Sequence, residues 1–391
     1  MNTISISRRK FAQLLGVSAA CAVAKPALSL ARVPATSPAA GTTTSGVVRL
    51  SSNENSYGPS PKALKAMNNA FSLSCRYPDD HNGPLIDALA KINGVRSDQI
   101  LLGDGSGEIL KLSAAAFTGP ITNGAPPSGP TRAFTLGRGT MVVADPTFEA
   151  ILHHASVNGA EVVKVPLTST FSHDLPKMAA AANEGLIYVC NPNNPTASIT
   201  LKSEVGDFIT KVPRSTMILV DEAYYHYADS PDYESVIPLI KDHPNLIVAR
   251  TFSKIYGMAG LRCGYCIAQH EMIERMRPQQ PWDSINIMAL AAATASLSDS
   301  DQVANGRRLN GEARAFVTHE LDAIGYKSIP SQANFIMVDL KRPVAPLIQA
   351  MKERKVEVGR LFPALPNHMR VTIGKKSEME AFLTAFRQVI A

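Results

Sequence analysis

Leu246-Ile247-Val248-Ala249-Arg250-Thr251-Phe252-Ser253-Lys254 is the stretch that decides the fold. Four apolar residues in succession suit a strand covered on both faces, and the run ends abruptly in polar and cationic side chains. The same pattern recurs upstream. Leu186 to Cys190 leads into Asn191-Pro192-Asn193-Asn194-Pro195-Thr196, and Met217 to Val220 leads into Asp221-Glu222-Ala223-Tyr224. Met141 to Ala144, Glu161 to Val165 and Gly264 to Ala268 are further strand candidates. Apolar runs alternating with helical patterns between about residues 100 and 270 predict an α/β layer with a mostly parallel sheet. Sheets of this kind bind ligands beyond the C-terminal ends of their strands, where the polar clusters fall.

The last third reads differently. A long helical pattern from about Ile285 to Ile324 precedes strand-like Asn334 to Val338 and Met369 to Ile373. A final amphipathic helix carries Met379, Phe382, Leu383 and Phe386 on one face. This predicts a second, smaller α+β lobe, and 391 residues are enough for two lobes. The expected division is a leader at 1–31, a flexible linker at 32–48, an N-terminal arm at 49–75, a large domain at 76–280 and a small domain at 281–391. Thr118 to Thr140, rich in Gly and Pro, is expected to be an irregular surface loop.

The formal charge of +6 misleads. Arg8, Arg9, Lys10 and Lys25 lie in the leader, and without them 35 basic residues face 33 acidic ones. That balance argues against nucleic acid as a partner. Ser7-Arg8-Arg9-Lys10-Phe11 opens a mostly apolar run to Ala24, followed by Lys25-Pro26. This run is shorter than the roughly 20 residues that span a bilayer, so no stable membrane insertion is expected. The paired arginines resemble a twin-arginine signal, with small residues near Ser29-Leu30-Ala31. Export through that machinery to the periplasm or beyond is the expectation. Ser18-Ala19-Ala20-Cys21 lacks the leading Leu of a lipoprotein site. Of the remaining cysteines, Cys190 and Cys263 are expected as buried thiols, and a disulfide at Cys75 stays open. Their spacing forms no zinc pattern, and no metal is expected.

Singly, the polar residues after the strands have ordinary readings. Asn194 shapes a turn, Asp221 caps a helix, and Lys254 and Arg262 are solvated charges. Together they describe chemistry. A lysine amine forms a Schiff base once its proton affinity is lowered or an aldehyde traps it. A carboxylate at a neighbouring strand end keeps a pyridine nitrogen protonated, which makes that ring an electron sink. Ser253 and the planar fork of Arg262 suit a phosphate.

On these motifs the chain resembles the fold-type-I pyridoxal phosphate (PLP) aminotransferases of class I/II, and among them the histidinol-phosphate aminotransferase group. The resemblance runs from about Arg49 to Ala391. It includes Leu50-Ser51-Ser52-Asn53-Glu54-Asn55-Ser56-Tyr57-Gly58-Pro59, Gly103-Asp104-Gly105-Ser106-Gly107-Glu108 and Asp145-Pro146-Thr147-Phe148. It ends with Pro366-Asn367-His368-Met369-Arg370-Val371-Thr372-Ile373-Gly374. The resemblance implies a large domain with a mostly parallel seven-stranded sheet and a smaller C-terminal α+β domain. It implies that Lys254 forms the Schiff base and moves the proton, and that Asp221 pairs with the ring nitrogen. Asn194 and Tyr224 would hold the phenolic oxygen and Phe148 would stack on the ring. Ser106 and Gly107 would offer N–H groups to the phosphate at a helix start, with Ser253 and Arg262 completing the cup. Tyr57 would come from the partner of a homodimer with a shared active site. Arg370 would grip the substrate α-carboxylate and Arg360 the substrate's far end.

Four departures from the family pattern carry expectations. Gly107 stands where relatives have an acidic residue, which predicts a looser loop. Ala197 replaces the usual Gly, which argues against a positive φ there. Phe148 replaces the commoner Tyr, keeping the stacking and losing a hydroxyl. The Thr118–Thr140 insertion is expected on the surface. The implied reaction is ping-pong transfer of an amino group between an amino acid and a 2-oxo acid. The same constellation serves PLP-dependent racemases, decarboxylases and lyases. A non-catalytic PLP-binding regulator is the alternative from another class.

Overall fold

The structure, a computed structural model, describes residues 46–120, 138–182 and 184–391. The leader, nearly all of the linker and most of the Thr118–Thr140 insertion lie outside the described residues. In chain order the strands are β1 (Val48–Leu50), β2 (Ile100–Gly103), β3 (Thr140–Asp145), β4 (Val162–Pro166), β5 (Gly185–Cys190) and β6 (Thr216–Asp221). Then come β7 (Leu246–Thr251), β8 (Gly264–Ala268), β9 (Lys327–Ser328), β10 (Phe335–Asp339), β11 (Val356–Val358) and β12 (His368–Thr372).

Seven of these strands make the large sheet, in the order β2-β8-β7-β6-β5-β3-β4. From β4 to β7 all neighbours are parallel, and only β8 runs against both β7 and β2. The apolar runs are continuous because both faces are covered. Ile187, Val189, Ile218, Val220 and Val248 pack into one core, and Leu186, Tyr188, Leu219, Ile247 and Ala249 into the other. Cys190, Cys263 and Cys266 are buried free thiols and Cys75 is an exposed one.

The long helical pattern is two helices, Ile287–Leu297 and Ser300–Ala323. The first departs from the expected boundary at 281. Its sequence, Ile-Met-Ala-Leu-Ala-Ala-Ala-Thr-Ala-Ser-Leu, is apolar almost all round, so it needs cover on every side. It finds that cover in the large-lobe core, where Ile287, Ala289, Leu290, Ala292 and Ala293 are buried. The small-lobe core begins with Ala313, Val317 and Leu321. There the antiparallel sheet β12-β10-β9 packs with the helix Lys376–Ile390, whose Met379, Phe382, Leu383 and Phe386 are all buried. The N-terminal arm joins this lobe too. β1 pairs in parallel with β11, Val48 opposite Val356, and Leu50 lies in the small-lobe core.

One buried ion pair pins the two strand ends that matter most. Glu222 follows β6 and Arg250 lies on β7, and their side chains are only 1% and 5% exposed. Arg250 donates to Glu222 Oε2 from Nη2 at 2.7 Å and from Nε at 2.9 Å. Ser235 Oγ and the Val236 N–H also donate to the carboxylate, and Asn93 Oδ1 accepts from Arg250 Nη1. The guanidinium lies 3.6 Å from the centre of the Tyr225 ring. Every charge-bearing group is thus satisfied, which a buried pair requires if it is to persist. Glu222→Gln leaves Arg250 buried without its counter-charge, and urea unfolding should show a loss of about 3–5 kcal/mol. Glu312→Gln breaks the exposed Arg308 pair and should lose less than about 1 kcal/mol.

Candidate active site

A cavity of about 250 Å³ opens beyond the C-terminal ends of β5, β6 and β7. Asp221 ends β6 and is 2% exposed. Its Oδ1 accepts the Ala223 N–H at 3.1 Å and its Oδ2 accepts the Tyr188 hydroxyl at 2.9 Å. Burial pushes this carboxyl up to about 6, against the opposing pull of the Tyr188 hydroxyl and the Ala223 N–H. Lys254 faces the same cavity. Its Nζ donates to Asn53 O at 3.2 Å and lies 5.5 Å from the centre of the Tyr224 ring. Burial, then the nearby Arg370 charge, lowers this amine to about 8.

Ser253 and Arg262 stand together at one end. Arg262 Nη1 donates to Ser253 Oγ at 3.4 Å, and Nη2 donates to Asp104 O at 3.3 Å. Opposite them the helix Ser106–Phe117 begins after Gly105, with Ser106 and Gly107 lining the cavity. Two glycines permit this close approach. A Cβ on Gly105 would come within 2.2 Å of Arg262 Nη2, and one on Gly264 within 2.4 Å of Ser106 N. The loop is not loose, contrary to the expectation from Gly107. The Glu108 carboxylate accepts the Asp104 N–H at 2.6 Å, so the turn is tied one residue later.

Asn194 and Tyr224 meet at the other side. The Asn194 amide donates to Tyr224 Oη at 3.5 Å, and Asn53 Nδ2 donates to the same oxygen at 3.0 Å. Asn194 Oδ1 accepts from Arg370 Nη1 at 2.8 Å, and Ser51 O accepts from Nη2 at 2.6 Å. Arg370 Nε is buried with no partner. Phe148 sits at the rim, 38% exposed.

The structure therefore gathers Ser106, Gly107, Phe148, Asn194, Asp221, Tyr224, Ser253, Lys254, Arg262 and Arg370 around one cavity. Tyr57 and Arg360 are not among its lining. Tyr57 is exposed, its ring 5.8 Å from Lys375 Nζ. Arg360 is paired with Glu149 and stacked 4.3 Å over Phe362.

Ala197 overturns an expectation. Its φ is +62°, in the left-handed region, although the residue has a Cβ. The turn demands it. Asn193 N–H donates to Ser198 O and Asn193 O accepts the Ala197 N–H, both at 2.8 Å, which closes the loop on itself. The conformation costs about 1–2 kcal/mol, which the closed hydrogen bonds and full burial offset. Two residues near the reacting groups escaped sequence reasoning. Tyr188, inside an aliphatic strand, carries a hydroxyl that needs a partner when buried, and that need was the available signal. Asn53 was legible only as part of a motif.

The residues fit pyridoxal phosphate on the structure's own terms. A buried carboxylate without a cation on it, an amine of lowered proton affinity and a glycine-lined cradle with an arginine match the cofactor's ring nitrogen, aldehyde and phosphate. Comparison with known proteins agrees. The model of the family "Aminotransferase class I and II" matches residues 45–386. The chain is 36% identical to histidinol-phosphate aminotransferase of Moorella thermoacetica over 351 residues, 88% of this chain and 86% of that one. The structure of histidinol-phosphate aminotransferase from Sinorhizobium meliloti in complex with pyridoxal-5'-phosphate superposes with a TM-score of 0.78 at 27% identity, covering 88% of this chain and 90% of that chain. L-threonine-O-3-phosphate decarboxylase from Porphyromonas gingivalis, at 22% identity and TM-score 0.72 over 88% of this chain and 99% of that one, shares the fold.

The lowered amine makes a direct prediction. In cofactor-free protein, brief exposure to a small aldehyde followed by borohydride should label Lys254 with half-maximal extent near pH 8. Labelling rises with pH because only the deprotonated amine attacks, and exposed lysines should follow only near pH ~10.4. Peptide mapping should find the early label absent from Lys254→Ala.

Proposed function

Because this chain belongs to the class I and II aminotransferases, we infer that it moves an amino group from an amino acid to a 2-oxo acid with pyridoxal phosphate, in two half-reactions with ping-pong kinetics. The observation that carries this reading is the meeting of Lys254 and buried Asp221 in one cavity. When bound, the cofactor supplies an aldehyde that captures amines and a ring that takes up electrons from the substrate carbon. The remaining tasks fall to the chain. Lys254 holds the cofactor, and its Nζ, once free, moves the substrate α-proton. Asp221 keeps the ring nitrogen protonated. Asn194 and Tyr224 hold the phenolic oxygen, and Phe148 covers the ring. Ser253, Arg262 and the N–H groups of Ser106 and Gly107 hold the phosphate at a helix start. Arg370 takes the substrate α-carboxylate through its planar fork.

Tyr57 completes the phosphate site of a second copy, so the working enzyme is a homodimer. Its exposed ring, outside its own chain's cavity, supports that role. The substrate is a free amino acid and not histidinol phosphate. Two features favour this. Arg360, expected at the substrate's far end, has its charge matched by Glu149. The leader, with its paired Arg8 and Arg9, directs the enzyme through the twin-arginine machinery to the periplasm or beyond, away from phosphorylated biosynthetic intermediates.

Incubating the mature protein with a panel of free amino acids should convert the bound cofactor to pyridoxamine phosphate, read by absorbance and chromatography. Racemised amino acid without that product would sink the transaminase reading. For the leader, Arg8→Lys with Arg9→Lys should hold the protein in the cytoplasmic fraction, whereas the native sequence should deliver it to the periplasm. Equal fractionation of the two would refute export.

A further inference from the structure

Tyr188 is the one phenol on a strand otherwise made of aliphatic residues and Cys190. It is 0% exposed. On the sheet Tyr188 lies opposite Leu219, and Cys190 opposite Asp221. Leu219 and Asp221 are two residues apart on β6, so the Tyr188 and Asp221 side chains share a face as diagonal neighbours. The phenol bridges that diagonal and donates to Asp221 Oδ2 at 2.9 Å.

We propose that Tyr188 is a positioning residue that holds Asp221 ionised and aimed at the cofactor's ring nitrogen. The proposal rests on the functional reading above. An ionised carboxylate offers about four acceptor directions. The Ala223 N–H takes one on Oδ1 and Tyr188 takes one on Oδ2, which stops the carboxylate from rotating and leaves the others for the cavity. The phenol also selects a protonation state. A hydroxyl donor favours the anion, against burial, which favours the neutral acid. The other groups facing Asp221 do not replace it. Cys190 directs its thiol to Pro192 O, Glu222 is committed to Arg250, Tyr224 is held by Asn53 and Asn194, and Lys254 is consumed in holding the cofactor.

A core tyrosine that merely filled space would look similar, so the test must depend on the ring nitrogen. Cofactor-free full-length protein is titrated with pyridoxal phosphate and with its carbocyclic analogue, in which CH replaces the ring nitrogen. Binding is followed by absorbance. Tyr188→Phe, which keeps the ring in the core, should weaken pyridoxal phosphate about tenfold at neutral pH, the scale of a lost hydrogen bond to a charged group. Affinity for the analogue should be unchanged, and the loss for the natural cofactor should grow as pH falls, because Asp221 then neutralises sooner. Equal weakening of both ligands marks a purely structural role and overturns the proposal, as does unchanged affinity for both. If the unmutated protein takes up neither ligand, the functional reading itself fails and the proposal falls with it.

Discussion

The buried Glu222–Arg250 pair is the constraint on which the rest of the site depends. Each member sits beside a reacting group in the chain, Glu222 directly after Asp221 and Arg250 four residues before Lys254. Glu222 N–H also donates to Ala249 O, which continues the β6–β7 ladder past the last paired residues. Removing two charges from water is expensive, and an apolar pair of the same volume would often be as stable. What the ion pair adds is a defined relation between two strand ends. The carboxylate and the amine that must share a cofactor are thereby set on backbone that cannot slide by a residue without stranding a charge.

Strained backbone lies in and beside the charged cavity, which Asn53 and Arg262 line and Ala197 does not. Asn53, Ala197 and Arg262 all have left-handed backbone, with φ of +54°, +62° and +55°. Such conformations persist only where the surroundings over-determine them. Asn53 is held by Thr372 and Tyr224, Ala197 by its closed turn, and Arg262 by Ser253 and Asp104. Lys254, Arg262 and Arg370 face the cavity against the single carboxylate of Asp221. The site thus carries an excess of positive charge, suited to a ligand bearing a phosphate and to a substrate bearing a carboxylate.

Much of this was legible in the sequence because it follows from local rules. Continuous apolar runs disclosed the covered strands, and the polar clusters after them disclosed the mouth of the cavity. The same rules could not see pairings across long separations. β1 has three residues and no periodicity, and its partner lies some three hundred positions away. The Glu222–Arg250 pair and the Tyr188–Asp221 bond join residues whose spacing carries no signal. Ala197 shows the opposite failure. A residue type suggested one backbone geometry, and the hydrogen bonding of its neighbours imposed another. Composition reveals that the apolar helix Ile287–Leu297 must be covered without saying by what, and it is the large-lobe core that covers it.

The pairing of β1 with β11 also sets an order of events during synthesis. The segment from Val48 to Asn53 brings Ser51 O to Arg370 and Asn53 to Lys254 and Tyr224, yet its strand partner, Val356–Val358, leaves the ribosome near the end of translation. The arm therefore cannot complete its docking until that late strand has been made, although it is itself made early. A cut upstream of Val48 would therefore leave every strand of the described residues whole.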